Sequence, residues 1–251
     1  MNWRLVLNLL SKLMVLEAAL MMPSFFVSLL HGEQALLVFG VPILALVALG
    51  LPMTLKQPAS KDVHAREGLA VVALSWVLLS LFGTLPFLLS GVIPGFINAL
   101  FETVSGFTTT GASILNQIEG LPHGVLFWRS FTHSVGGMGV LILTLAILPK
   151  LSGSAATLAR AESPGPTFSK VVPRMRDTAR WMYAVYTVLS LAQLVLLLIS
   201  GLPLFDAFIH TMGTAGTGGF SNRNASVGAY DNPFAEGIIT VFMLLFGMNF
   251  A

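Results

Sequence analysis

Four stretches of the chain are free or nearly free of Asp, Glu, Lys and Arg and long enough to cross a bilayer. Ala35–Leu55 has 21 residues, Ser130–Pro149 has 20 and Trp181–Phe205 has 25. A spanning helix needs about 20 mostly apolar residues, so each reads as one span. The stretch from about Leu5 to Leu30 is apolar apart from Lys12 and Glu17. It reads as a span in which Glu17 faces a partner or water. A cleavable signal peptide fits less well, because Glu17 interrupts the apolar stretch and no small-residue cleavage motif follows Leu20.

Two regions divide further. Leu69–Phe101 runs 33 residues without a charge and contains Pro86, Gly91, Pro94 and Gly95, all helix breakers. A span at about Gly68–Ser90 followed by a short apolar element at about Gly95–Phe107 is expected. Leu204–Thr214 is a second short element, after the span ending near Gly201. Both are too short to cross and read as re-entrant helices that enter and return on one face. Gly237–Ala251 is a last apolar run of 15 residues with no polar flank.

Composition agrees with a membrane chain. The 251 residues are 55% hydrophobic and 10% charged, with a mean hydropathy of +0.83. An ordinary soluble domain carries about 25% charged residues, which excludes a soluble globular protein, a disordered chain and a nucleic-acid binder. The net charge is only +2 and cysteine is absent, so disulfides, thiolate metal sites and a Cys nucleophile are excluded. Eleven of the thirteen basic residues lie at the N-terminus, in 54–67 or in 150–180. Alternating spans put these segments on one side, and the positive-inside rule makes that side, with the N-terminus, cytoplasmic. Both re-entrant elements then enter from outside.

The re-entrant regions repeat each other. INALFETVSGFTTTGASI at 97–114 resembles FDAFIHTMGTAGTGGFSN at 205–222. Asn98-Ala99 aligns with Asp206-Ala207, Thr103 with Thr211 and, after a one-residue gap, Thr110-Gly111 with Thr217-Gly218. Gly137-Met138 matches Gly247-Met248 in the following spans. The unit is span, short helix, Gly/Thr-rich loop, span. Repetition of this kind is common in transport proteins. Non-helical backbone at membrane depth must line a watery cavity or be buried in protein. Carbonyls aimed into a pore replace the water shell of a cation. Glycine permits the left-handed conformations this needs, and the C-terminal end of a short helix adds negative potential. TTTG at 108–111 and AGTG at 215–218 meet these needs. Ordinary tight turns are the competing reading. A phosphate loop is disfavoured, because no Lys-Ser/Thr follows GTAGTGG at 213–219.

FETVSGFTTTGAS (101–113), WRSFTHSVGGMGVLIL (128–143), RAESPGP (160–166) and HTMGTAGTGGFS (210–221) together resemble the Trk-type potassium uptake subunits of bacteria, in the Trk/Ktr/HKT superfamily. The resemblance covers the whole chain, with two extra N-terminal spans. It implies potassium uptake across the inner membrane, K+ as transported ion and no covalently bound cofactor. The family has four span–pore–span repeats around one pore, with one filter glycine each. By resemblance those glycines are Gly111 and Gly218. Thr109-Thr110 and Gly216-Thr217 would present the potassium-binding carbonyls, with Thr108 and Glu102 in support. A lipid bilayer, a homodimer and a cytoplasmic nucleotide-binding regulatory subunit are the expected partners. Only two filter loops are present, so an incomplete form of a longer subunit is expected. A two-loop subunit that dimerises, a fragment that does not conduct by itself, and channel versus symport remain open.

Other residues carry weaker signals. Glu102 is read as an acid behind the filter that attracts cations and braces the loop, rather than a carboxylate in interfacial water. For Arg129, snorkelling to the interface is preferred over pairing with Glu102 or Glu119. His133 and His210 are read as packed helix residues rather than metal ligands. Asp206, after Pro203, is read as a helix cap. An intramembrane enzyme would need a paired nucleophile and base or an acid pair within the spans. Glu17 is the only carboxylate well inside one and no His-Glu pair at helical spacing accompanies it. The expected fold is an all-α polytopic membrane protein. It has two N-terminal spans (1–55), a cytoplasmic loop (56–67), a first repeat (68–149), a second cytoplasmic loop (150–180) and a second repeat (181–251).

Overall fold

The computed structural model describes residues 1–55, 65–139 and 175–248. Among these, every regular element is helical. Residues 56–64 of the expected loop 56–67, residues 150–174 of the expected loop 150–180 with the RAESPGP motif, the end of the 130–149 span and residues 249–251 lie outside the described residues.

Helix α1 (Trp3–Leu30) carries no strong apolar stripe, as a helix apolar all round should not. Asn2 caps it, accepting from the Leu5 N–H at 3.2 Å. The Asn2 N–H itself donates to Glu67 Oε1 at 2.9 Å. Helix α2 (Val41–Leu55) is entered through a wide π turn at Leu36–Gly40. Pro42 has no N–H to continue an α ladder, and the Val41 N–H instead reaches the Leu36 carbonyl. Gly50 lets α1 and α2 close on each other: a Cβ there would lie 2.9 Å from the Ser11 carbonyl oxygen.

The expected Gly68–Ser90 span is helix α3 (Ala65–Gly83) prolonged by a short α4 (Leu85–Leu89). The break falls at Thr84, two residues before Pro86. The Thr84 hydroxyl donates to the Ser80 carbonyl at 2.6 Å. Helix α5 (Phe96–Phe107) is the first short element. Helix α6 (His123–Gly137) starts seven residues before the expected Ser130, because Arg129 is inside the helix and does not bound it. Helix α7 (Met175–Ile199) ends two residues before Gly201, and α8 (Leu204–Ala215) is the second short element. Helix α9 (Pro233–Phe246) starts earlier than the apolar run at Gly237. The Asn232 carboxamide oxygen caps it, while the Asn232 NH2 donates to the Ser200 carbonyl at 2.8 Å.

Among the described residues, four stretches are long and apolar enough to cross a membrane: Trp3–Leu30, Leu36–Leu55, Arg66–Leu89 and Arg180–Ile199. Large apolar side chains such as Leu30, Leu36, Leu44, Trp181, Ile199 and Leu244 are exposed, as lipid-facing residues must be. The chain is therefore an all-α polytopic membrane protein. Among the described residues, most buried apolar side chains fall into three clusters. The largest joins α1, α2, α3, α5 and α6. The second is built mainly from α7 and α9. A small third cluster, Leu126 of α6 with Ile209 and Met212 of α8, sits between the repeats. Glu17 is 1% exposed, and among the described residues neither carboxylate oxygen has a hydrogen-bond partner.

Overpacking a close helix contact costs about 1–3 kcal/mol. Gly50→Val should therefore lower the thermal midpoint of the detergent-solubilised protein by several degrees. Gly237→Ala, where an added Cβ meets nothing within 4 Å, should hold or raise it. Fluorescence-detected size exclusion after heating reads both. An unshifted Gly50→Val would mean that α1 and α2 are not in backbone contact.

Candidate functional site: two loops behind two half-helices

Helices α5 and α8 are each 12 residues long and start 108 positions apart. The same offset holds through both loops. The Thr109 N–H donates to the Gly106 carbonyl and the Thr110 N–H to Ser105; the Thr217 N–H donates to Thr214 and the Gly218 N–H to Gly213. Thr109 and Thr217 both have φ of 55°, and Gly111 (φ 75°) matches Gly219 (φ 82°). No gap separates the repeats. This corrects the register read from the sequence: Gly219, not Gly218, occupies the position of Gly111, and Gly218 stands opposite Thr110. The second Gly of the Gly218-Gly219 pair was the missed residue. A gap-free offset carried on from Asn98/Asp206 and Thr103/Thr211 would have found it.

Thr108 is the C-cap of α5 and Gly216 that of α8. The Thr108 hydroxyl bonds the Val104 carbonyl at 2.7 Å and meets the Thr110 hydroxyl at 2.8 Å. Gly216 packs against the His133 carbonyl on α6, where no side chain fits. The loops touch each other: a Cβ on Gly111 would land on the Gly218 carbonyl oxygen. His133 is fully buried, and its ring lies 3.9 Å from that of Phe220 and against Gly218.

The loops spend their donors inward. The N–H groups of Thr109, Thr110, Thr217, Gly218 and Gly219 all turn back onto the preceding helix. Among the described residues no hydrogen bond reaches the carbonyls of Thr109, Thr110, Gly111, Thr217, Gly218 or Gly219. Unpaired carbonyls at the negative ends of two half-helices form an acceptor-rich site suited to a cation.

Glu102 bonds the segment that leaves the first loop. Its carboxylate accepts from the Ser113 hydroxyl and the Ile114 N–H, each at 2.9 Å. Arg129 does not snorkel. It is 2% exposed, and its Nε donates to Glu102 Oε1 at 2.6 Å. The reason is the earlier start of α6, which carries Arg129 nearly two turns below the helix end. Asp206 is not a helix cap either. It accepts from the Tyr230 hydroxyl at 2.7 Å, Arg223 at 3.0 Å and the Asn222 carboxamide at 2.6 Å. His210 bonds Tyr230 at 3.2 Å beside it. Among the described residues no group of three or more His, Asp and Glu side chains is placed to hold a metal ion.

The same end of the bundle is tied by other carboxylates. Glu33, between α1 and α2, accepts from the N–H groups of His123 and Gly124 and so caps α6. Glu119 accepts twice from Asn224, joining the segments that follow the two loops. A cavity of about 330 Å³ lies among Glu33, Glu119, His123, Phe205, Asp206 and Arg223.

Comparison with known proteins follows the same outline. The family described as "TrkH: Cation transport protein" matches residues 32–251. A Trk system potassium uptake protein TrkH of Halomonas elongata is 35% identical over all of this chain and 53% of its own length. The Trk system potassium uptake protein TrkG of Escherichia coli is 34% identical over 98% of this chain and 52% of its own length. The crystal structure of the potassium transporter TrkH from Vibrio parahaemolyticus superposes with a TM-score of 0.83 at 30% identity, over all of this chain and 51% of that one. The chain spans about half the length of the curated relatives it matches.

Burial alone would raise the Asp206 pKa, but the bonds from Tyr230, Arg223 and Asn222 outweigh it and hold the carboxyl below its ordinary value. A lowered pKa means stabilisation that is complete above the ordinary aspartate value of about 3.9 and fades as pH falls through the lower folded value. Asp206→Asn should therefore lower the thermal midpoint by the same few degrees at pH 8 and pH 5. The gap from the parent should close below about pH 3.9. A gap that already shrinks between pH 8 and pH 5 would contradict this.

Proposed function

Because the chain belongs to the TrkH family of cation transport proteins, we propose that it conducts potassium into the bacterial cell, its two Gly/Thr loops furnishing part of a carbonyl-lined filter. Membership makes it a transport protein and not an enzyme. The ion-binding carbonyls are those of Thr109, Thr110 and Gly111 in the first loop. In the second they are Thr217, Gly218 and Gly219, with Thr108 and Gly216 as the helix caps that start each loop. The observation that carries this reading is the set of six loop carbonyls that no donor among the described residues reaches, beside five loop N–H groups that bond back to the preceding helix.

A dehydrating potassium ion needs several oxygen dipoles at once, and uncharged carbonyls bind it without trapping it. Two loops surround only part of an ion. The remaining oxygens come from further loops, in the longer protein or in a second copy. The bilayer is the inner membrane, the N-terminus is cytoplasmic and the loops open outward. A homodimer and a nucleotide-binding regulatory subunit on the cytoplasmic side complete the proposal.

Gly219 gives a clean test of the filter. Its φ is +82°, yet an added Cβ would meet nothing within 4 Å. Gly219→Ala therefore strains the backbone without a clash. The strain is about 1–2 kcal/mol, and about 1.4 kcal/mol is tenfold in affinity. In the full-length protein, sodium should compete with rubidium uptake up to about tenfold more strongly. Gly228→Ala, equally open but without a positive φ, should change nothing. Unchanged competition in Gly219→Ala would remove the loops from the pore.

Orientation is tested in the cysteine-free chain by single cysteines at Ser60, Ser154 and Ala225. An impermeant thiol reagent on intact spheroplasts should label only position 225. Labelling at 60 or 154 without 225 would invert the topology.

A further inference from the structure

We propose that Arg129 is a positioning residue that locks the second loop to the first, so that one buried ion pair sets the spacing of both. Its side chain reaches two repeats at once. Nε donates to Glu102 of the first repeat at 2.6 Å, and Nη1 donates to the Ser221 carbonyl of the second at 3.0 Å. The guanidinium carbon lies 3.6 Å from the centre of the Phe220 ring. Glu102 in turn holds Ser113 and Ile114. With the offset of 108 positions between the half-helices, Ser113 and Ser221 are equivalent. The pair thus grips the same point of each loop's exit, two residues beyond Gly111 and Gly219.

The device is built once. The positions equivalent to Glu102 and Arg129 in the second repeat are His210 and, with the offset of 110 between the starts of α6 and α9, Ile239, so this pair is not repeated there: Asp206 holds Asn222 and Arg223 of the second loop's exit, and the Ser221 carbonyl is held by the first repeat's arginine. Stability does not account for this choice. Apolar residues of similar volume often serve a protein interior as well as a buried ion pair does. What the pair adds is geometry. A guanidinium is a rigid fork that satisfies two acceptors in fixed directions, whereas an ammonium is a point charge on a flexible stem. The side chains of Arg129 and Glu102 are 2% and 0% exposed, so neither is free to trade its partner for water.

This inference rests on the filter reading, and the test separates the two. The full-length protein carries Arg129→Lys, Phe220→Leu or Gly219→Ala, and rubidium uptake is measured against sodium and potassium at matched amounts of protein. Lysine keeps the charge beside Glu102 but does not also span to the Ser221 carbonyl. Phe220→Leu keeps both charges paired and removes the ring beneath the guanidinium. Each should strengthen sodium competition at least about threefold, a shift of about 0.65 kcal/mol. A purely structural role would lower the amount of protein and leave the ion ratio alone. If Arg129→Lys fails to accumulate, Phe220→Leu decides by itself. A shifted Gly219→Ala with unshifted Arg129→Lys and Phe220→Leu would overturn the lock and leave the filter standing. An unshifted Gly219→Ala would remove both.

Discussion

Backbone that leaves the helix inside a bilayer has no water to turn to, and each unpaired N–H there costs several kcal/mol. The two loops meet this constraint asymmetrically. Their donors fold back onto Gly106, Ser105, Thr214 and Gly213 in the last turns of α5 and α8. Their acceptors are left over. The positive φ values at Thr109, Gly111, Thr217 and Gly219 are what this folding back requires. The strain in two threonines is held by the surrounding helices. Gly136 lets α6 close on the Phe107 carbonyl at the end of α5, and Gly216 lets α8 close on the His133 carbonyl. An acceptor-rich loop is thus the residue of a packing problem solved by small side chains.

Around this centre, the loop-bearing end of the bundle is held by carboxylates bonded to neutral or positive donors. Glu33, Glu102, Glu119 and Asp206 each join segments that are separate in sequence. At the opposite end Glu67 accepts from the Asn2 N–H and the Asn8 carboxamide donates to the Met53 and Thr54 carbonyls.

Four of the membrane spans, both half-helices and the repeat were legible, because each leaves a long trace: twenty apolar residues, or a motif seen twice. Arg129 was misplaced by the same rule that found the spans. Counting charge-free runs makes any charge a boundary, so an arginine buried inside a helix truncates the helix on paper. Its partner Glu102 lies 27 positions away, a spacing with no local signature. The second loop was misread by one residue, since Thr-Gly in AGTG matches Thr-Gly in TTTG by letter. The backbone matches Gly111 with Gly219 by sign of φ instead, and a sequence does not display dihedral angles. Asp206 looked like a cap because it sits in the first helical turn after Pro203; its partners at Asn222, Arg223 and Tyr230 come from the far side of the loop.

The cap that Glu33 places on α6 has a consequence for biogenesis. Its partners lie 90 and 91 residues further along the chain. A ribosome makes the α1–α2 hairpin well before it makes His123. The carboxylate is therefore already at the membrane surface when the first turn of α6 emerges with its N–H groups unpaired. Vectorial synthesis turns a long-range contact into a template awaiting its strand of chain. A permuted gene that produced α6 first would insert that helix with its end uncapped, although the finished bonds would be the same.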